Sequence, residues 1–208
     1  MLTLAADTTE AYGSIALADE NGVREEVLLY APQGFSHVLF GAIRELLERQ
    51  HVCLPEIELF AAASGPGSFT GVRVGLSAIK GLAEVCGKRV VALSNLEVLA
   101  EFGTSDTRAV LIDAHRGEVY AAIYDGSGRA IIPEAVLPFE KFLKLVPEGP
   151  VEWISQDPPP ALQCPVVQAP RALAGAIAKL ARRRTAQDPA AIEANYVRRS
   201  DAEIFFRS

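Results

Sequence analysis

The stretch "AASGPGSFTGVRVGLSAIKGLAEV", residues 62–85, begins as a glycine-rich loop and continues as a helix. Loops of this kind hold phosphate in many folds, and three motifs test that reading. A P-loop needs G-x-x-x-x-G-K-[ST], and neither Gly65 nor Gly67 is followed by a Gly-Lys pair at that distance. A dinucleotide fingerprint needs G-x-G-x-x-G, and its third glycine position holds Thr70, one residue before Gly71. The nucleophile elbow G-x-S-x-G fails because Pro66 stands two residues before Ser68. What remains is a capped helix start, with Ser68 or Thr70 as the cap, whose free N–H groups suit an anion or simply close a strand-to-helix turn. Beyond it, apolar residues from Val72 to Val85 cover more than one helix face. Gly71 with Gly75, and Ser77 with Gly81, are small residues four apart that admit a second helix. A helix buried wholly in its own core would also be apolar all round. Interior glycines cost about 0.8–1 kcal/mol each relative to alanine, which favours a packing purpose, and the reading adopted is a helix-to-helix protein interface.

Outward from this stretch, apolar runs and turn signals alternate in two sets. "LTLAAD" is a buried strand, and "YGSIALAD" and "VREEVLLY" form a hairpin across Asn21-Gly22. "SHVLFGAIRELLERQ" places Val38, Leu39, Ala42, Ile43, Leu46 and Leu47 on one helix face, with Ser36 as the expected N-cap. "IELFAAAS" and "VVALS" are strands on either side of the glycine loop and its helix, and "NLEVLAEF" is a short helix. After a polar break at residues 103–106 the order restarts with "AVLIDA", "EVYAAIYDGSG", "PFEKFLKLV", "VEWIS", "PVVQA" and the helix "RALAGAIAKLARRR". Interleaved strands and helices that open twice on a hairpin predict α/β layers with mixed sheets. The expected organisation is two lobes, 1–105 and 106–208, each of domain size, with a cleft between them.

The 208 residues are 50% hydrophobic and 22% charged, with a formal net charge of −6. Residues 1–105 carry 7 Lys/Arg against 13 Asp/Glu and residues 106–208 carry 13 of each, so neither half gathers nucleic acid unaided. Three scattered cysteines, Cys53, Cys86 and Cys164, argue against a disulfide framework. With no signal-like start and no uncharged membrane-length run, a cytoplasmic protein is expected.

Four segments carry a resemblance: "LAADTT", "GPGSFTGVRVGLSAIKGLA", "DAHRGEVYAAIY" and "NYVRR". In this order, along nearly the whole chain, they resemble the TsaB (YeaZ) family of bacterial tRNA threonylcarbamoyladenosine biosynthesis. The resemblance implies two ribonuclease-H-like lobes of the actin-like, sugar-kinase and Hsp70 superfamily. It implies a non-catalytic paralogue of TsaD, the subunit that transfers threonylcarbamoyl to the adenosine beside the tRNA anticodon. The partners implied are TsaD and, through that pair, the ATPase TsaE, with tRNA met only through the complex and a homodimer formed in isolation. TsaD holds a metal partly through H-x-x-x-H; here Asn95 and Leu99 stand at the corresponding positions, and leucine cannot ligate a metal.

The residues themselves bear on each of these implications. His37, His51 and His115 have no metal-ligand spacing, so no metal site and no catalytic residue is assigned. Asp7 and Asp113 end the first strands of the two sets and, with Thr8 and Thr9, are the candidate nucleotide-cleft residues. Aspartates also begin ordinary turns, so no cofactor is required and ATP or ADP binding is weak or shared with TsaD. The expected interface is Thr70, Val72, Arg73, Gly75, Leu76, Ala78, Ile79 and Leu82, joined by Phe35, Val38, Leu39 and Ala42. The alternatives are an ATP-dependent phosphotransferase, which requires turnover dependent on Asp7 or Asp113, and a metalloprotease-like protein, which requires a metal.

Overall fold

The computed structural model describes residues 1–197, which divide into two compact units. In the first, strands β1 (Thr3–Asp7), β2 (Tyr12–Asp19), β3 (Gly22–Tyr30), β4 (Leu59–Gly65) and β5 (Arg89–Ser94) form one sheet in the order β3-β2-β1-β4-β5. β1 runs antiparallel to β2 and parallel to β4, and β4 runs parallel to β5. In the second unit, β6 (Thr107–Asp113), β7 (Glu118–Asp125), β8 (Ala130–Pro138), β9 (Glu152–Ser155) and β10 (Val166–Gln168) are ordered β10-β9-β6-β7-β8. β6 is antiparallel to β7 and parallel to β9. Each unit thus opens on a three-stranded antiparallel meander and adds two parallel strands beside its first. The similar order read from the sequence is a repeat of topology.

Alternation along the strands gives the first sheet two different faces. Leu4, Ile15, Leu17 and Phe60 point to one side, where α1 (Leu39–Arg49) and α2 (Phe69–Cys86) cover them with Leu39, Ile43, Leu46, Val72, Leu76 and Ile79. The opposite face carries Ala5, Ala16, Ala61 and Ala63, all buried, and α5 (Ala174–Ala181) lies across it. Small side chains on both sides, with Ala174, Gly175, Ala178 and Ala181 from the helix, let α5 sit close. Its start is capped from the sheet: Ser14 Oγ on β2 accepts from the backbone N–H groups of Leu173 and Ala174 at 2.9 and 2.8 Å. Glu26 Oε1 accepts from Gly175 N at 2.7 Å. A cap of this kind contributes about 1 kcal/mol.

α5 corrects the expected division at 105/106. Residues 170–194 fold with the first unit, and the second comprises 99–169 and, among the described residues, 195–197. The apolar stripe of this helix was visible in the sequence, but the sheet that receives it was not. The second unit's core is built from Ala109, Leu111, Val119, Ala121 and Ile123 under Phe139 and Phe142 of α4 (Phe139–Leu143). A smaller correction concerns α1, which starts at Leu39 after a 3-10 turn over Phe35–His37, so Ser36 is not its cap.

α2 has Ser68 as its N-cap, whose Oγ accepts from Gly71 N at 3.3 Å, and Gly87 closes it in the left-handed region at φ 61°. The turn after β1 is wedged against its first two turns. Thr8 Oγ1 donates to Gly71 O at 2.7 Å, and Ser68 N donates to Thr9 O at 2.6 Å. A Cβ at Gly71 would collide with the Thr8 carbonyl oxygen, and one at Gly75 with Thr8 Oγ1. This pair of glycines therefore admits the chain's own β1 turn, not a second helix. Gly81 faces open space. Gly75→Ala should lower stability by about 1–3 kcal/mol, because Thr8 is held by its own hydrogen bond and cannot swing away. Gly81→Ala on the same helix should gain about 0.8–1 kcal/mol. Urea unfolding of both variants at one protein concentration checks the contrast.

Candidate functional site

The carboxyl end of β1 is a closed polar network. Asp7, Thr8 and Thr9 are almost wholly buried. Asp7 Oδ1 accepts from Thr9 N at 2.9 Å and from Thr9 Oγ1 at 2.7 Å. Asn95, the first residue of α3 (Asn95–Ala100), donates from Nδ2 to Thr9 Oγ1 at 2.8 Å and accepts from Gly65 N at 3.1 Å. The three sequence-predicted residues are thus brought together with Asn95 and tied to the end of β4. Burial pushes the Asp7 carboxyl above its ordinary 3.8, more than the Thr9 and Asn95 hydrogen bonds pull it down.

Asp113 ends β6 in the second unit and forms the same local turn, its Oδ1 accepting from His115 N at 2.8 Å. Unlike Asp7 it is exposed, and His115 Nδ1 lies 3.3 Å from its Oδ2. His115 and Arg116 both hold positive φ, 60° and 56°, before Gly117. Two consecutive non-glycine residues there make a tight, costly turn. The other two histidines flank α1: His37 lies in the preceding 3-10 turn, and His51 follows its C-terminus at φ 52°. Among the described residues, no three of His, Cys, Asp and Glu converge as a metal site.

The expected interface separates into an inner and an outer face. Val72, Gly75, Leu76, Ala78 and Ile79 are buried within the first unit, as are Phe35 and Leu39. They belong to its core and are not a docking surface. Leu82 and Ala42 are half-buried against that core. Thr70, Arg73 and Val38 are exposed as expected. Phe69 (46% exposed), Phe40 (56%) and Val85 (84%) are exposed as well and were left out of the expected interface, as were Ser77 and Gly81, which the sequence had offered only as small residues four apart. Arg73 lies over the Phe69 ring, its guanidinium carbon 3.6 Å from the centroid, which holds the two as one apolar and cationic knob. The turn at Phe35–His37 packs against α2. The signal for this face was the small and polar subset of the helix, Thr70, Arg73, Ser77 and Gly81, which recurs at three- and four-residue spacing.

The comparisons with known proteins agree with this geometry. The family model of TsaD, tRNA N6-adenosine threonylcarbamoyltransferase, matches residues 29–203. The Bacillus subtilis tRNA threonylcarbamoyladenosine biosynthesis protein TsaB is 30% identical over 164 residues, covering 76% of this chain and 72% of the relative. This chain belongs to the TsaB family. The Escherichia coli TsaB is 31% identical over 163 residues, covering 74% of this chain and 70% of the relative. The crystal structure of YeaZ from Pseudomonas aeruginosa superposes with a TM-score of 0.76 at 26% identity, covering 94% of this chain and 99% of that one. The TsaB family works in tRNA threonylcarbamoyladenosine biosynthesis. No helix among the described residues is long and apolar enough to cross a membrane. The basic pair at Arg198 lies outside the described residues.

A raised carboxyl in the folded state has a defined sign. Above 3.8 the unfolded chain gives up its Asp7 proton while the folded chain keeps it, so stability falls as pH rises from there through the raised folded value. Asp7→Asn removes that decline and keeps the acceptor for Thr9. The difference in unfolding free energy, Asp7→Asn minus wild type, should therefore increase as pH rises from 4 towards 8, as measured by urea titration; a constant difference would contradict a raised Asp7.

Proposed function

We propose that this chain is the non-catalytic subunit that binds and activates TsaD, and TsaE with it, for threonylcarbamoylation of the adenosine next to the tRNA anticodon. The observation that carries this reading is the two-sided character of α2. Its inward stripe is consumed by the core, and its outward stripe of Phe69, Thr70, Arg73, Ser77 and Gly81 is exposed. Small residues at Ser77 and Gly81 let a partner backbone approach, and the Phe69–Arg73 knob offers an anchor of the type enriched at interface hot spots. In isolation the same stripe pairs with a second copy, giving a homodimer.

Activation by a binding subunit requires only that it prefer the competent conformation of its partner. No group of this chain needs to touch the transferred carbamoyl, and tRNA is met through the complex. Asn95 and Leu99, which the family resemblance aligns with the metal-holding histidines of TsaD, are respectively a hydrogen-bonded core amide and a fully buried hydrocarbon. No cofactor is required in this reading. Asp7 already accepts from Thr9 twice, so a magnesium nucleotide would have to displace bonds made within the chain, and ATP or ADP binds weakly or through a site completed by TsaD. The setting is the cytoplasm.

The experiment is reconstitution with TsaD and TsaE. The isolated chain should neither modify tRNA nor hydrolyse ATP, and adding it to TsaD and TsaE should restore modification. Ser77→Arg should weaken binding to TsaD roughly tenfold or more, about 1.4 kcal/mol, while surface placement keeps the unfolding free energy within about 0.5 kcal/mol. Titration calorimetry and urea unfolding of the same sample read both numbers. Undiminished affinity in Ser77→Arg would move the interface elsewhere, and turnover by the isolated chain would end the non-catalytic reading.

A further inference from the structure

One end of the first sheet carries a cationic cavity that none of the preceding functions uses. The segment 170–194, which folds with the first unit, brings five Lys/Arg and two Asp/Glu to it, whereas residues 1–98 carry seven and twelve. Three of the five gather at the end of α5: Lys179 in its last turn, Arg182 as its C-cap and Arg183 next to it. They border an open cavity of about 470 Å³, with Glu20, Asn21 and Gly22 of the β2–β3 turn on its other side. The helix dipole accounts for part of this grouping, since cations in a last turn answer about half a negative charge. Three full charges exceed that, and the helix does not require them to converge with a hairpin turn on one cavity.

The acidic groups of this end are already matched. Asp19 Oδ2 accepts from Arg24 Nε, and its Oδ1 accepts from Asn21 N at 2.8 Å. Glu20 Oε2 lies 3.2 Å from the α-amine of Met1. Arg182 Nη1 donates to the backbone oxygen of Asp19, a neutral acceptor that leaves the guanidinium charge in place. Lys179 is exposed and has no partner among the described residues. The lining also selects among anions. Apart from Met1, nothing large and apolar among the described residues lines the cavity. A protein partner anchors on buried aromatic and apolar groups, which this cavity cannot receive. A nucleic-acid backbone needs only charge and hydrogen-bond donors, and lysine, arginine and the Asn21 amide supply them.

We infer that this cavity holds backbone phosphate of the tRNA, with Lys179 and Arg182 as the charges that meet it. The inference rests on the functional reading, in which tRNA meets this chain inside the complex. It adds a direct contact on the α5 side of the first sheet, opposite the side that α2 covers.

Fluorescence anisotropy of labelled tRNA, titrated with the complex of this chain, TsaD and TsaE at several salt concentrations, tests it. Lys179→Gln should weaken tRNA binding roughly threefold to tenfold at low salt. It should also make the slope of log K against log salt shallower by about 0.7–0.9, the share of one phosphate contact. Lys179→Arg should keep the parent affinity and slope. Lys144→Gln, at an exposed lysine of the second unit, should leave both unchanged. Calorimetric titration of each variant with TsaD should give the parent affinity, which separates this test from that of the partner-binding reading. Parent-like affinity and slope in Lys179→Gln overturn the inference. So does a loss with an unaltered slope, a loss that Lys144→Gln equals or that Lys179→Arg shares, or weakened binding of Lys179→Gln to TsaD. A parent complex that holds no tRNA overturns the functional reading and the inference with it.

Discussion

Everything in the first unit depends on the short turn after β1 lying under the start of α2. Thr8 reaches Gly71 O, Thr9 O receives Ser68 N, and neither contact leaves room for a side chain at Gly71 or Gly75. The rotation of α2 about its axis is thereby fixed. With Gly71 and Gly75 turned to the β1 turn, Val72, Leu76 and Ile79 enter the core, and Phe69, Arg73 and Ser77 are left outside. The same contact answers the question raised by the glycine-rich loop. Gly67 and Gly71 are glycines because the backbone of the β1 turn occupies the space their side chains would take, and Ser68 already serves as the cap.

The two faces of the first sheet set a second condition. A wall of large residues against α1 and α2 is balanced by a wall of alanines against α5, and only a helix of small residues can approach the latter closely. Because the alanine face offers little area per residue, hydrophobic burial alone positions α5 weakly. Ser14 and Glu26 supply the direction by capping its first turn from β2 and β3. Polar groups thus specify where a helix starts, and apolar area holds it there. Lys80 Nζ, donating to Ile192 O at 3.0 Å, ties the chain after α5 back to α2 on the opposite side of the sheet.

Much of this was legible in the sequence because the relevant signals are local. The Asn21-Gly22 turn, the apolar runs of β1, β4 and β6, and Ser68 before an apolar helix each declare themselves within a few residues. Two things were not legible. The destination of α5 depends on Ser14, some 160 positions away, and an apolar stripe carries no label for the sheet it will cover. The direction of Gly75 was equally hidden, since a missing side chain is compatible with close approach from inside or outside. Counting apolar residues on α2 overstated its free surface for the same reason: Val72, Leu76, Ala78 and Ile79 are satisfied internally, and the outward stripe is Phe69, Thr70, Arg73, Ser77 and Gly81. Asp7 forms a turn with Thr9, and the contact that Asn95 makes with it joins residues 88 positions apart, beyond the reach of local signals.

Asn95 shows how a lobe of this fold keeps its shape without a metal ligand at this place. Family resemblance aligns it and Leu99 with two histidines that hold a metal in TsaD. A pair of imidazoles left unpartnered in a dry interior would each strand a polar nitrogen, at a cost of about 1–3 kcal/mol. Asparagine instead offers a donor and an acceptor at fixed positions, used here for Thr9 Oγ1 and Gly65 N, so the ends of β1, β4 and α3 are tied by one side chain. Leucine at 99 presents only hydrocarbon and is fully buried. Among the described residues no buried side-chain polar atom lacks a partner, so this exchange leaves no unpaired group behind. Asparagine at 95 and leucine at 99 are therefore residues that complete this core, one by tying three element ends together and the other by filling apolar space.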